Sequence, residues 1–144
     1  MYSLGEYVMK KKIENSMRVK GDARGLKKLL YKCIYSFHGL KYAYKNESGI
    51  LIHLVVSIIT IIIGLFLKPS FTQWGIIFIA LGVILSIELL NTAIEAVVDM
   101  VTIEYNELAK IAKDCGSAAT FVVSVIGAIT IGAIYVPKII ALFN

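Results

Sequence analysis

Apolar residues fall along this chain in two rhythms. From Ala23 to Lys45, Leu26, Leu29, Leu30, Cys33, Ile34, Phe37 and Leu40 recur at three- and four-residue steps, with Lys27, Lys28, Lys32 and Lys41 between them. That spacing predicts a basic amphipathic helix over about 23–45, of the kind that lies on a membrane surface. Beyond Asn46 the rhythm gives way to three long apolar runs, at 50–67, 74–98 and 116–136. The first is interrupted by a polar side chain only at His53, Ser57 and Thr60. A hydrocarbon core of about 30 Å takes about 20 helical residues to cross, and backbone in lipid must satisfy its own hydrogen bonds, so each run predicts one transmembrane helix. No segment shows the alternation of a membrane-barrel strand. The expected fold class is all-α and integral to the membrane, with an N-terminal amphipathic surface helix plus three transmembrane helices.

Punctuation between the runs is clear in two places. Asn46-Glu47-Ser48-Gly49 separates the surface helix from the first span, and Lys68-Pro69-Ser70 ends that span and turns the chain. No Gly or Pro follows Gly82 until Gly116, so the second helix is expected to continue out of the membrane through Asp99 and Glu104. Gly116-Ser117-Ala118-Ala119 would then open the third span with small residues that let helices approach closely. Residues 1–22 are polar and basic without a sustained period and are expected to form an extension outside a domain spanning 23–144. The first forty residues contain no apolar core of a cleavable signal peptide.

Composition and charge agree. At 58% hydrophobic and 17% charged, a chain this short has too little polar surface to cover a soluble globule. Residues 1–46 carry eleven of the 15 Lys+Arg residues against Glu6, Glu14 and Asp22. The positive-inside rule therefore places the N-terminus and the loop after the second span in the cytosol, with Trp74 as an anchor at the outer interface. The setting expected from this is the bacterial cytoplasmic membrane. Cys33 and Cys115 both fall on the cytosolic side and lack metal-site spacing, which predicts free thiols.

The candidate chemistry lies on the second span. At ~100° per residue, Asn91 stands about 60° from Glu88 around the helix, Glu95 about 20°, and Asp99 about 20° on the other side. All four share one stripe. At ~1.5 Å per residue Glu88 lies ~21 Å from Trp74, and Glu95 lands near the far boundary of a ~30 Å core. One carboxylate thus reaches into the lipid while another meets water. An intramembrane charge costs on the order of 3 kcal/mol, so such a stripe points to function. Polar contacts between helices and an ion-coupled transporter are the competing readings. Glu47 at the mouth of the first span, with Glu104, Glu107, Lys113 and Asp114 on the same side, favours a third. Two facing carboxylates can hold Mg²⁺ and leave the remaining positions to phosphates and water. With a lysine and a buried base beside them, this suits phosphoryl transfer. No Walker A or kinase-type Gly-rich loop is present. Nothing points to nucleic acid.

Glu88-Leu-Leu-Asn91-Thr92-Ala93-Ile-Glu95-Ala-Val-Val98-Asp99 resembles the signature of the prokaryotic diacylglycerol kinase family, which includes undecaprenol kinases. Asn46-Glu47 upstream and Lys113-Asp114 with Gly116-Ser117-Ala118 downstream match the same family in order and spacing. The resemblance covers about Leu26 to Ile140. It implies a homotrimer with active sites between subunits, using ATP and Mg²⁺ to phosphorylate a membrane lipid alcohol. It further implies Glu88 as catalytic base, Glu47 and Glu95 as metal ligands, Lys113 on the phosphates and Asp114 at the nucleoside end. Asn91 would order the reacting groups, Glu104 and Tyr35 would help bind nucleotide, and Ser117 would face the lipid. Lys28 stands where Gram-negative members carry an ATP-contacting Arg, so a point charge replaces a fork. His53 stands where those members carry a Glu, and is either a substrate contact or a polar residue satisfied within the helices. Members from Gram-positive bacteria are more similar, in His53, the run from Gln73-Trp74 to Leu90, and Pro137-Lys138. That similarity favours undecaprenol as acceptor, with diacylglycerol as the alternative.

Overall fold

The computed structural model describes residues 25–143, so the extension expected over 1–22 lies outside the described residues. Four helices follow one another, and no strand occurs among the described residues: α1 (Leu26–Asn46), α2 (Ser48–Leu67), α3 (Phe71–Val101) and α4 (Glu107–Ile140). Helices α2, α3 and α4 are each long and apolar enough to cross a membrane, as expected. The chain divides after Tyr42 into two compact units. In the first, α1 carries its apolar residues at helical spacing, and Leu26, Leu29, Leu30, Ile34, Phe37 and Leu40 are all exposed. Tyr35 stacks on Tyr31 with ring centroids 6.3 Å apart and meets His38 edge-on at 6.4 Å.

In the second unit α3 and α4 make the most extensive contact, and α2 packs less closely on both. Lys68 closes α2 in the left-handed conformation (φ 49°), its N–H bonded to the Gly64 carbonyl. Ser70 then opens α3 with a capping box, its hydroxyl accepting from the Gln73 N–H while the Gln73 side chain accepts from the Ser70 N–H. Around this end lies the apolar core. Ile77, Leu81 and Tyr135 are buried together with Trp74, Ile61, Leu67, Ile131 and Ile134 against them. Gly64 makes the approach possible, because a Cβ there would stand 2.6 Å from both the Trp74 ring and the Tyr135 hydroxyl.

Two expectations about helix ends are corrected. α3 stops at Val101, so Glu104 lies in the connection rather than on a continuing helix. Thr102 takes an extended conformation, and its hydroxyl accepts from the Glu104 N–H, a local alternative to helical bonding. α4 starts at Glu107 rather than at Gly116, because the Asn106 side chain accepts from the Leu108 and Ala109 N–H groups and caps it. Lys113 and Asp114 therefore stand on the first turns of α4, not in a loop. At 31 and 34 residues, α3 and α4 run to about 46 and 51 Å, well beyond a ~30 Å core.

Candidate active site

Glu88 is buried, with 7% of its surface exposed. A glycine makes room for it. A Cβ on Gly49 of α2 would fall 1.9 Å from Glu88 Oε1, so the carboxylate rests directly on the α2 backbone. One turn along the same face, His53 Nε2 stands 3.9 Å from Glu88 Oε2, beyond direct hydrogen-bond reach. Ser57, a further turn on, is buried and donates to the His53 carbonyl at 2.7 Å. A buried carboxylate with no bonded cation is expensive. His53 is the one basic side chain beside it among the described residues for which a contact is seen.

Asn91 occupies the second glycine-lined notch. Its Nδ2 donates to Glu95 Oε1 at 2.9 Å, which fixes the amide orientation, since the reverse would set two oxygens against each other. Its Oδ1 is buried without a hydrogen-bond partner. That oxygen lies against Gly116 of α4, where a Cβ would stand 2.2 Å away. Gly116 therefore sits inside a helix as a close-approach position.

Toward the end of α3 the groups become exposed and charged. Glu47, the residue before α2, makes no capping bond with its side chain. Loss of solvent, followed by the charges of Glu95, Glu88 and Asp99, pushes the Glu47 carboxyl above its ordinary value, with Lys113 opposing. Four carboxylates therefore crowd one region with too little positive charge, and a cation would relieve the repulsion. Among the described residues no cluster of three or more His, Cys, Asp or Glu side chains forms a ready-made metal cage. A pair of carboxylates with open positions fits a hard divalent ion that keeps water and phosphate ligands. Beyond Glu95, Lys113 Nζ donates to Asp99, and Lys110 Nζ to Asp114 within α4. Asp99, Glu104, Asn106, Lys110, Lys113 and Asp114 are among the residues lining a cavity of about 430 Å³ between the end of α3 and the start of α4.

The structure thus gathers most of the expected site. Glu88 meets His53, Asn91 meets Glu95, Glu47 feels Glu95 and Glu88, and Glu104, Lys113 and Asp114 share one cavity. Ser117 is exposed on α4 beside Gly116. Lys28 and Tyr35 belong to the first unit. Gly49 as the seat of Glu88, Lys110, and the pairing of Asp99 with Lys113 are not apparent from the sequence, because each depends on contacts that helical spacing does not encode.

The family model described as prokaryotic diacylglycerol kinase matches residues 34–135. An undecaprenol kinase of Bacillus subtilis is 32% identical over 123 residues, covering 85% of this chain and 100% of that protein. A diacylglycerol kinase of Helicobacter pylori is 32% identical over 108 residues, covering 75% of this chain and 84% of that protein. A diacylglycerol kinase of Escherichia coli K12 is 32% identical over 109 residues, covering 76% and 89%. The match covers all of α2 and α3 and most of α4, the helices that carry the glycine-seated carboxylate and line the cavity at the end of α3, and it settles the choice between kinase and transporter: the chain belongs to the prokaryotic diacylglycerol kinase family and is a membrane-embedded lipid kinase.

Proposed function

We propose that this chain transfers the γ-phosphoryl group of ATP to the hydroxyl of a membrane lipid alcohol, with undecaprenol as the favoured acceptor. The observation that carries the reading is the graded stripe of α3, where a buried carboxylate at Glu88 is followed by half-buried Glu95 and exposed Asp99. A base for a lipid hydroxyl belongs in the buried position, and groups for a soluble polyanion belong at the other end. Undecaprenol is preferred because the Bacillus subtilis undecaprenol kinase is matched over its whole length. The diacylglycerol kinases, equally identical, keep diacylglycerol as the alternative.

In the reaction Glu88 accepts the hydroxyl proton as the lipid oxygen bonds to the γ-phosphorus and the bond to the leaving ADP breaks. His53 flanks this base, and Asn91 keeps Glu95 in place. Glu47 and Glu95 would hold Mg²⁺, which supplies charge neutralisation for the phosphates. Lys113 serves the phosphates, and Glu104 and Asp114 serve the nucleotide in the cavity. Lys28 and Tyr35 of α1 add nucleotide contacts, and Ser117 faces the lipid. α1 lies on the cytosolic membrane surface, with the N-terminus and the α3–α4 connection on that side.

The assembly is a homotrimer with sites shared between subunits. Family resemblance supports this, as does the small size of a three-span subunit that must serve both a nucleotide and a lipid. Mixing Glu88→Gln with Glu47→Gln subunits tests sharing, because composite sites regain part of the activity. A dead mixture with proven mixed oligomers rejects sharing alone. The kinase reading is tested by purified protein in detergent or lipid with labelled ATP, Mg²⁺ and each lipid alcohol. Labelled undecaprenyl phosphate is expected. Label in phosphatidic acid only would reverse the acceptor preference, and label in neither lipid would reject the reading.

A further inference from the structure

The pairing of Asp99 with Lys113 has no part in the chemistry above. Lys113 Nζ donates to Asp99 Oδ1, and Asp99 lies four residues beyond Glu95 on the same stripe of α3. The ammonium therefore sits in the field of three carboxylates. It is bonded to Asp99 and attracted at longer range by Glu95 and Glu47. A lysine is a compact charge on a flexible stem. Without a fixed partner it would swing to the two carboxylates whose repulsion it best relieves, and it would then stand where a divalent cation must bind. The neighbouring Lys110 is bonded within α4 to Asp114 instead.

We propose that Asp99 is a positioning residue that holds Lys113 clear of the Glu47–Glu95 pair, leaving the pair open to the metal and the ammonium ready for the nucleotide phosphates. The inference rests on the reading of Glu47 and Glu95 as the metal pair. The Asp99 and Lys113 side chains are 62% and 37% exposed, and exposed ion pairs hold weakly. Asp99 thus places Lys113 without trapping it. A triphosphate carries several negative charges against one carboxylate, so its arrival turns the lysine over to the nucleotide.

The test is Mn²⁺ binding without nucleotide, followed by electron paramagnetic resonance on full-length protein. The proteins are wild type, Asp99→Asn, Lys113→Gln and the double variant. Asp99→Asn is expected to weaken Mn²⁺ binding about three- to fivefold, the scale of one exposed ion pair. Lys113→Gln should tighten it, and Asp99→Asn should then change little in the Lys113→Gln background. Asp99→Glu should bind like wild type. A carboxylate that acts only as one more negative charge would weaken binding by the same factor in both backgrounds. That result, or an unchanged Asp99→Asn, overturns the inference and leaves the metal pair standing. Absence of Mn²⁺ binding by wild type at millimolar metal, or binding indifferent to Glu47→Gln and Glu95→Gln, overturns the metal pair and this inference with it. Asp99 is exposed and Lys113 half-buried, each on a helix, and circular dichroism of each variant verifies that the fold is retained.

Discussion

The two ends of the membrane-crossing unit use one device for opposite purposes. At the Trp74 end, Gly64 admits two large aromatic side chains, and the Tyr135 hydroxyl donates to the Thr60 carbonyl at 2.8 Å. That hydroxyl is satisfied and apolar surface is buried around it. At the Glu88 end, Gly49 and Gly116 admit a carboxylate and an amide instead. The carboxylate has no cation within bonding distance, and the amide oxygen has no partner. Close helix approach at one end yields packing. At the other it seats a buried carboxylate and a buried amide on the backbone of neighbouring helices.

Replacing the base breaks the contrast most severely. Glu88→Gln keeps the volume and removes the proton acceptor, so turnover should fall at least ~10³-fold, within the range of general-base contributions. ATP binding should persist, because Glu88 takes the proton of the lipid hydroxyl and holds neither the metal nor the phosphates. Since the variant removes a buried charge, its thermal stability should equal or exceed that of wild type. Phosphoryl transfer, nucleotide binding and a melting curve on one preparation check all three. Loss of nucleotide binding with the fold intact would overturn the assignment.

The glycines sharpen the comparison. Gly64→Ala pushes a methyl into the Trp74 ring and the Tyr135 hydroxyl, both fixed in the core, and should cost about 1–3 kcal/mol of stability. Its activity per folded molecule should be close to normal. Gly49→Ala meets the end of a flexible side chain, Glu88 Oε1. The carboxylate will turn away at little cost in stability, and activity should drop ~10²-fold, the scale of a misplaced catalytic group. If the two alanine variants lose stability and activity in parallel, the two ends do not differ in the way described.

These pairs of residues also mark where sequence stops being informative. The three spans and the Glu88–Asp99 stripe follow from length and helical period, which are properties of single helices. The seat of Glu88 on Gly49 is a contact between helices, and from sequence Gly49 is merely part of a separator. Gly116 likewise suggests a helix start, whereas it is an interior notch for Asn91. The break at Thr102–Asn106 escapes a search for Gly and Pro because a threonine and an asparagine make it through side-chain bonds to backbone. Asn106, directly before Glu107, is the residue type that caps a helix start. Lys113 and Asp99 are fourteen residues apart, a separation that neither period nor motif connects.

Metal dependence should respond next. Glu47→Gln and Glu95→Gln should each raise the Mg²⁺ concentration for half-maximal activity about tenfold, with partial rescue at high Mg²⁺. The acid side of the pH profile adds a sign. The Glu47 carboxyl is raised above its ordinary value by lost solvent and then by Glu95, Glu88 and Asp99. The folded protein therefore takes up this proton more readily than the unfolded chain. Ionised Glu47 opposes folding at neutral pH, and that opposition fades as pH falls through the raised value. Metal affinity moves the other way and should begin to fail above the pH at which an ordinary glutamate would protonate. Glu95→Gln removes the largest of the repulsions and should shift that failure to lower pH. An unshifted acid limb, read from Mg²⁺ titrations at several pH values, would separate Glu47 from Glu95.

The smallest effect belongs to the satisfied end. Tyr135→Phe removes a hydroxyl that donates to the Thr60 carbonyl and keeps the ring that packs on Ile77 and Leu81. Hydrogen bonds between membrane helices contribute on the order of 0.6 kcal/mol, because the partners find other donors when the helices separate. The Thr60 carbonyl also remains within its own helix ladder, so the loss leaves no orphaned group. Stability in detergent should fall by about 0.5–1 kcal/mol, and phosphoryl transfer should be unchanged across the full range of Mg²⁺ and lipid. The equivalent deletion at the other end, Asn91→Ala, removes a bond of similar length, from Nδ2 to Glu95. It should leave stability nearly untouched while reducing activity at least ~10-fold, since it frees the Glu95 carboxylate to leave its station. A Tyr135→Phe variant that lost activity as Asn91→Ala does would show that the hydroxyl at the packed end is coupled to the site, and the division of labour between the two ends would have to be abandoned.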